Sequence, residues 1–318
     1  MHHCSARHRS LPALLRLAVL LLAGFLVPAG SAAPADDSAR ARFAVIGDYG
    51  EANVSAAAVA ALAGSWDPEF IITAGDNSYS GDLDSDIGQN YHEYIFPYRG
   101  TRGPGARANR FFPALGNHDW DNRVIGCDGD RCTGTYLDYF ALPGNERYYD
   151  LIRGPVQLFA LDSDDREPDG IASSSAQASW LRARLRASHA RWKIVYFHHP
   201  PFASGAHDPR LRWPFADWGA TAVITGHLHV YERILKSGFP YFVNGLGGRS
   251  RQPFGEIEAD SQVRYNADFG AMLVEADETR ISFRFFSIAG SRSLIDTFVI
   301  DVSALEPATW GSIKAFYR

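Results

Sequence analysis

Five short segments of this chain carry side chains that bind cations. They are Gly47-Asp48-Tyr49-Gly50, Gly75-Asp76-Asn77-Ser78-Tyr79, Gly116-Asn117-His118-Asp119, His198-His199-Pro200 and Gly226-His227-Leu228-His229. Together they offer carboxylates, a phenol, an amide oxygen and imidazoles, and no thiolate. Such a set suits borderline to hard ions, with iron, zinc and manganese as candidates. One carboxylate can bridge two ions, and two ions about 3.5–4 Å apart clamp an in-line displacement at phosphorus and acidify a bound water. The chemistry these residue types point to is the hydrolysis of phosphate esters. Taken singly, each segment is ordinary: Gly-Asp after a strand is usually a turn, Asn-His-Asp a loop, His-Pro-Pro the end of a strand. The His227/His229 pair is stronger, because alternate residues of an extended chain face the same way. The histidines cluster as well. Of the eleven, His2, His3 and His8 lie at the extreme N-terminus, and six of the remaining eight (His118, His198, His199, His207, His227 and His229) fall in or just after these segments.

Each segment follows an apolar run: 43–46, 70–73, 111–115, 193–197 and 221–224. Continuous β-branched and aromatic runs of this length predict strands buried on both faces. In open α/β sheets, ligand sites lie just beyond the carboxyl ends of strands, so the five segments are expected to converge on one edge. Runs 156–161 and 241–243 read as further strands. Between them, 54–63 is Ala-rich and stops at Gly64, and Ser174 with Gln177 forms a capping-box pattern ahead of Trp180, Leu181 and Leu185. Alternating strands and helices predict α/β architecture. Three tail runs, 271–275, 280–286 and 294–300, add an antiparallel portion and point to two packed sheets. The polar stretches 81–105 and 127–149 read as active-site loops, with Asp82, Asp84 and Asp86 on a solvated surface.

The whole chain sets bounds on this reading. It has 318 residues, 46% apolar and 21% charged, with a formal net charge of -5 and 13% aromatic residues. That is globular composition without a basic nucleic-acid footprint. Arg7, Arg9 and Arg16 precede the first acidic residue, Asp36, and an uncharged apolar run, 17–27, leads into small residues at 28–33. This predicts a secretory signal over 1–33, cut near Ala32 or Ala33, and a single catalytic domain over 34–318. The run falls short of the roughly 20 residues that span a bilayer, so no stable membrane anchor is expected and the protein is placed outside the cytoplasm, secreted or periplasmic. Cys4 leaves with the signal; Cys127 and Cys132 remain as an even pair and predict a small loop-closing disulfide.

The ordered motifs resemble the calcineurin-like metallophosphoesterases and, within them, the purple acid phosphatases, over about 43–233. Tyr79 is the discriminating residue, since most other metallophosphoesterases lack a tyrosine there. With no long β domain ahead of the motifs, the chain is similar to the short, tartrate-resistant form. The resemblance implies a four-layer α/β/β/α sandwich of two mixed sheets. It implies that Asp48, Tyr79 and His229 hold Fe(III), that Asn117, His198 and His227 hold a divalent iron, zinc or manganese, and that Asp76 bridges. A metal-bound hydroxide would attack a small-molecule or peptide phosphate monoester, and His118 would steady the transition state and protonate the leaving group. His207 stands where related enzymes place a second substrate-contacting histidine. His199 and Asp119 depart from the commoner pattern. The alternatives are a phosphodiesterase on the same scaffold and a non-hydrolytic secreted metal- or phosphate-binding protein.

Overall fold

The apolar runs pair into two mixed sheets in the computed structural model, which describes residues 39–303 apart from 130 and 291. The first sheet has the order Ser293–Asp301, Arg280–Ser287, Gly270–Asp277, Arg40–Ile46, Phe70–Thr73, Phe111–Pro113. Its last three strands are parallel, and the tail strands join them through the antiparallel pair Arg40–Ile46 and Gly270–Asp277. The second sheet runs Ser261–Tyr265, Tyr231–Lys236, Phe239–Asn244, Ala222–Thr225, Trp192–Tyr196, Val156–Ala160, Tyr149–Arg153. Its middle four strands are parallel.

Strand alternation sorts these residues into layers. Phe43, Val45, Phe70 and Ile72 of the first sheet meet Leu158, Ile194, Tyr196 and Ile224 of the second in one buried cluster between the sheets. The intervening residues face outward onto helices. Ala44, Ile46 and Ile71 pack with Val59 and Ala63 of the helix Val54–Gly64. Phe159, Val195 and Val223 pack with Leu181 and Leu185 of the helix Ala176–Ala187. Both faces of each parallel portion are covered, which is why those strands read as unbroken apolar runs. The result is the expected α/β/β/α layering. Each fully buried Phe or Ile in the central layer contributes about 1.5–3 kcal/mol.

Several expectations need correction. The second helix is capped by Ser175, whose Oγ accepts from Ala178 N–H at 3.1 Å, not by a Ser174–Gln177 box. Gln177 turns inward instead. It accepts from Asp162 N–H at 2.8 Å and donates to the carbonyls of Asp162 and Gly170. A buried amide that both donates and accepts satisfies backbone groups that a capping role would leave open. The 81–105 stretch is not a simple solvated loop: it carries the helical turns Asp84–Gly88, Gln89–Tyr91 and His92–Tyr94. Asp84 accepts from Thr101 and Tyr139, and Asp86 is buried. Strands Tyr149–Arg153, Tyr231–Lys236 and Ser261–Tyr265 were not legible as apolar runs, because the latter two mix polar residues in and the first is half-buried.

Cys127 and Cys132 stand opposite one another in a two-stranded hairpin and are disulfide-bonded. The proposed signal, its cleavage zone and Cys4 lie outside the described residues. Among the described residues no helix is long and apolar enough to cross a membrane.

Candidate metal centre

All five cation-binding segments meet at the carboxyl ends of their strands. Two glycines make the approach possible. A Cβ on Gly75, which has φ +87°, would lie 2.6 Å from His198 Nδ1 of the other sheet. A Cβ on Gly226 would lie 2.6 Å from Asp48 Oδ2, again across the sheet boundary. The residues that follow the glycines in three segments, Asp48, Asp76 and His227, adopt left-handed backbone at φ 57°, 55° and 68°. Each such residue costs on the order of 1–2 kcal/mol, a strain that concentrates at functional sites.

The donors face one another without enough protons between them. His198 Nδ1 donates to Ala74 O at 2.8 Å, which leaves its Nε2 as a bare lone pair. That nitrogen is 3.1 Å from Asn117 Oδ1 and 3.2 Å from His227 Nδ1, and the latter two are 3.1 Å apart. At most one proton, on His227 Nδ1, is available to this triangle. Asp76 Oδ1 lies 3.3 Å from the same His198 Nε2 and accepts from His118 N–H at 3.0 Å; its Oδ2 accepts from Tyr79 O–H at 2.9 Å. Tyr79 Oη is also 3.5 Å from His229 Nε2. Asp48 Oδ2 accepts from His227 N–H at 2.9 Å, but Asp48 Oδ1 is buried with no hydrogen bond among the described residues, 3.2 Å from His229 Nε2.

Electrostatics agree with this geometry. Burial pushes the carboxyls of Asp48 and Asp76 up, and for Asp76 the Asp48 charge adds to it. Burial, then the neighbouring imidazoles, holds His198 well below its ordinary range and His227 down at about 3. Neutral imidazoles, crowded carboxylates and an orphaned buried oxygen are each relieved by a cation, so the donor set fits one. Ligand atoms of Asp48, Asp76 and His198 lie within 4.8 Å of one another, as do those of His198, His199 and His227.

A supporting layer fixes these side chains. Asn77 accepts from Tyr49 O–H and Thr73 O–H at 2.7 and 2.8 Å, and donates to Ala114 O and Asp119 Oδ2, both at 2.8 Å. Asp119 also accepts from Gly116 N–H, so it ties the second and third segments together and takes no place among the ligand atoms; burial raises it to about 7. Asp86 accepts from Ser78 O–H and from both N–H and O–H of Ser80, gripping either side of Tyr79. Arg166 donates to Asn117 O and Asp121 and forks onto Asp164.

His118 holds Asp76 through its backbone N–H, while its imidazole stands apart from the ligand atoms. Its ring is 4.5 Å from the Tyr79 ring and partly open to solvent. His199 joins the cluster, its ring 4.5 Å from that of His227 and its Nδ1 2.9 Å from Ser163 Oγ. His207 is exposed; its ring meets Gly205 O and Arg212 and makes none of the contacts that tie the cluster together. Sequence reasoning missed a sixth junction. After the strand Phe239–Asn244 comes Gly245-Leu-Gly-Gly-Arg-Ser250, where Ser250 Oγ is 2.5 Å from His229 Nδ1 and Arg249 N–H donates to Asp48 O. The signal was the same as in the other five: an apolar run ending in glycines and polar side chains.

The profile of the calcineurin-like phosphoesterases matches residues 41–231. The chain belongs to that family. Among solved structures, the purple acid phosphatase PPD1 from yellow lupin (Lupinus luteus) seeds is similar at 17% identity and TM-score 0.65, over 82% of this chain and 54% of that one. This chain thus spans about half the length of the lupin protein. GAP50, the anchor in the inner membrane complex of Plasmodium, is similar at 17% identity and TM-score 0.61, over 87% of this chain and 94% of that one. PhoD is similar at 12% identity and TM-score 0.53, over 85% and 71%. At these identities the likeness is one of fold. Comparison with curated protein sequences gives no match.

Proposed function

We propose that this phosphoesterase is an exported phosphomonoesterase of the purple acid phosphatase type, with a two-metal centre of Fe(III) and a divalent iron, zinc or manganese. The observation that carries the reading is the Tyr79 hydroxyl, set inside the ligand cluster 2.9 Å from Asp76 and 3.5 Å from His229. A phenolate is a strong donor to ferric iron. Asp48, Tyr79 and His229 would hold that ion, Asn117, His198 and His227 the divalent one, and Asp76 both. The ions would supply Lewis acidity and a nucleophile from water at low pH. His118, whose backbone N–H holds Asp76 while its ring hydrogen-bonds none of the ligand atoms, would carry the proton to the departing oxygen; burial lowers its pKa. The disulfide supports an oxidising compartment outside the cytoplasm.

Metal analysis and an absorption spectrum of the purified protein, with rates on an aryl phosphate and its methyl diester, test the reading. We expect iron, a visible band and faster monoester turnover. Tyr79→Phe should abolish the band. A colourless zinc or manganese protein that prefers the diester sinks the ferric monoesterase and favours the phosphodiesterase. The non-hydrolytic reading draws on GAP50, an anchor in the inner membrane complex of Plasmodium with a similar fold; the presence of His118, which the ligand set does not need, weighs against it.

A further inference from the structure

Several charged side chains border the centre, and most are fully engaged. Arg166 spends its guanidinium on Asp164, Asp121 and Asn117 O. Arg212 is taken up by Pro201 O and His207. Arg249 differs. Its backbone is pinned to the ligand-bearing segments: Gly247 N–H donates to Gly47 O at 2.9 Å, Arg249 N–H to Asp48 O at 3.1 Å, and Ser250 holds His229. The guanidinium carbon lies 4.7 Å from the centre of the Tyr79 ring, and His118 lies against that same ring. Arg249 is the exposed partner in this arrangement, 41% open, and only Nη1 is engaged, with Glu51 at 2.7 Å. Its remaining N–H donors meet no protein acceptor among the described residues. A guanidinium fixed at its base and free at its tip suits an anionic oxygen that arrives with substrate, and its planar fork suits phosphate.

We propose that Arg249 is a specificity-determining residue, whose guanidinium binds the additional anionic oxygen that distinguishes a phosphate monoester from a diester. This rests on the phosphomonoesterase reading above. Glu51 holds the fork in place before substrate arrives, and a dianion gains more from the guanidinium charge than a monoanion does.

The test uses metal-loaded protein, with metal content measured for each variant. Arg249→Ala should raise KM for an aryl phosphate, and weaken inorganic phosphate binding measured by calorimetry, by about tenfold or more. It should leave kcat and the methyl diester KM nearly unchanged. Arg249→Lys, which keeps the charge and loses the fork, should fall between. Equal losses on both esters, unaltered phosphate affinity in Arg249→Ala, or loss of metal would each overturn the assignment. Should the alanine variant not fold, an Arg249→Lys protein with an unaltered monoester-to-diester ratio overturns it as well. The two readings fail separately. If the unmodified protein prefers the diester, the monoesterase is wrong, while the ratio of variant to unmodified phosphate affinity still decides whether Arg249 binds the anion.

Discussion

The two sheets bring different chemistry to the centre. Asp48, Asp76, Tyr79 and Asn117 follow strands of the first sheet and offer oxygen; His198, His227 and His229 follow strands of the second and offer nitrogen. Burial acts on the two sets in opposite directions. It raises the carboxyls of the first and lowers the His198 and His227 imidazoles of the second. Each half alone tends toward neutrality, and neither is a complete ligand set. The centre is therefore a property of the seam between the sheets, and the contacts that cross it, such as Gly226 against Asp48, decide whether it exists.

His118 is the sharpest way to break that division, because it is an imidazole on the oxygen side. If oxygen and nitrogen ligands really divide by sheet, His118→Ala keeps full metal content while turnover falls roughly 10²–10⁴-fold, the range for a lost acid–base group. Loss of metal in that variant would make His118 a ligand and dissolve the comparison. Ser250→Ala comes next. With its Nδ1 partner gone, the His229 ring is no longer held in place, and metal affinity should drop about 10–100-fold. Ser163→Ala, which touches only His199, should leave metal affinity alone; a matching drop there would place His199 among the ligands. The smallest effect probes the seam itself. Gly226→Ala should destabilise the fold by about 1–3 kcal/mol in denaturant melts, as overpacking does. Gly126→Ala, where an added Cβ meets nothing within 4 Å, should be close to neutral. Equal melts for the two would show that the seam tolerates expansion.

Much of this arrangement was legible in the sequence, for a physical reason. Strands buried on both faces leave unbroken apolar runs, and the residues after them stand out by contrast, as Asp76 does after Phe70–Thr73. Edge and mixed strands leave no such trace: Ser261–Tyr265 alternates between half-buried and exposed positions and reads as loop. Spacing to Gln177 pointed to Ser174 as the cap, but Gln177 is drawn to the buried backbone of Asp162, 15 residues earlier, and Ser175 caps the helix instead. Ser250 and Arg249 escaped notice because a serine and an arginine carry no ligand signature by themselves. Their meaning lies in what stands beside them, Ser250 against His229 and Arg249 over Tyr79. His207 is the converse case: its type and spacing suggested a role, while its exposed ring meets Gly205 O and Arg212 and not the cluster.

The hydrogen bond from His227 to Asp48 spans 179 residues of chain, and the one from Asn244 to Val45 spans 199. Translation therefore delivers the two halves of the centre far apart in time. Asp48 and Asp76 emerge early, and the side chains that brace His229, Ser250 and Gln252, emerge late. A stop before the codon of His198 leaves the oxygen donors without any of the three imidazoles, and without the tail strands Gly270–Asp277, Arg280–Ser287 and Ser293–Asp301 that complete the first sheet. The full donor set therefore exists only once the chain has been made past His229.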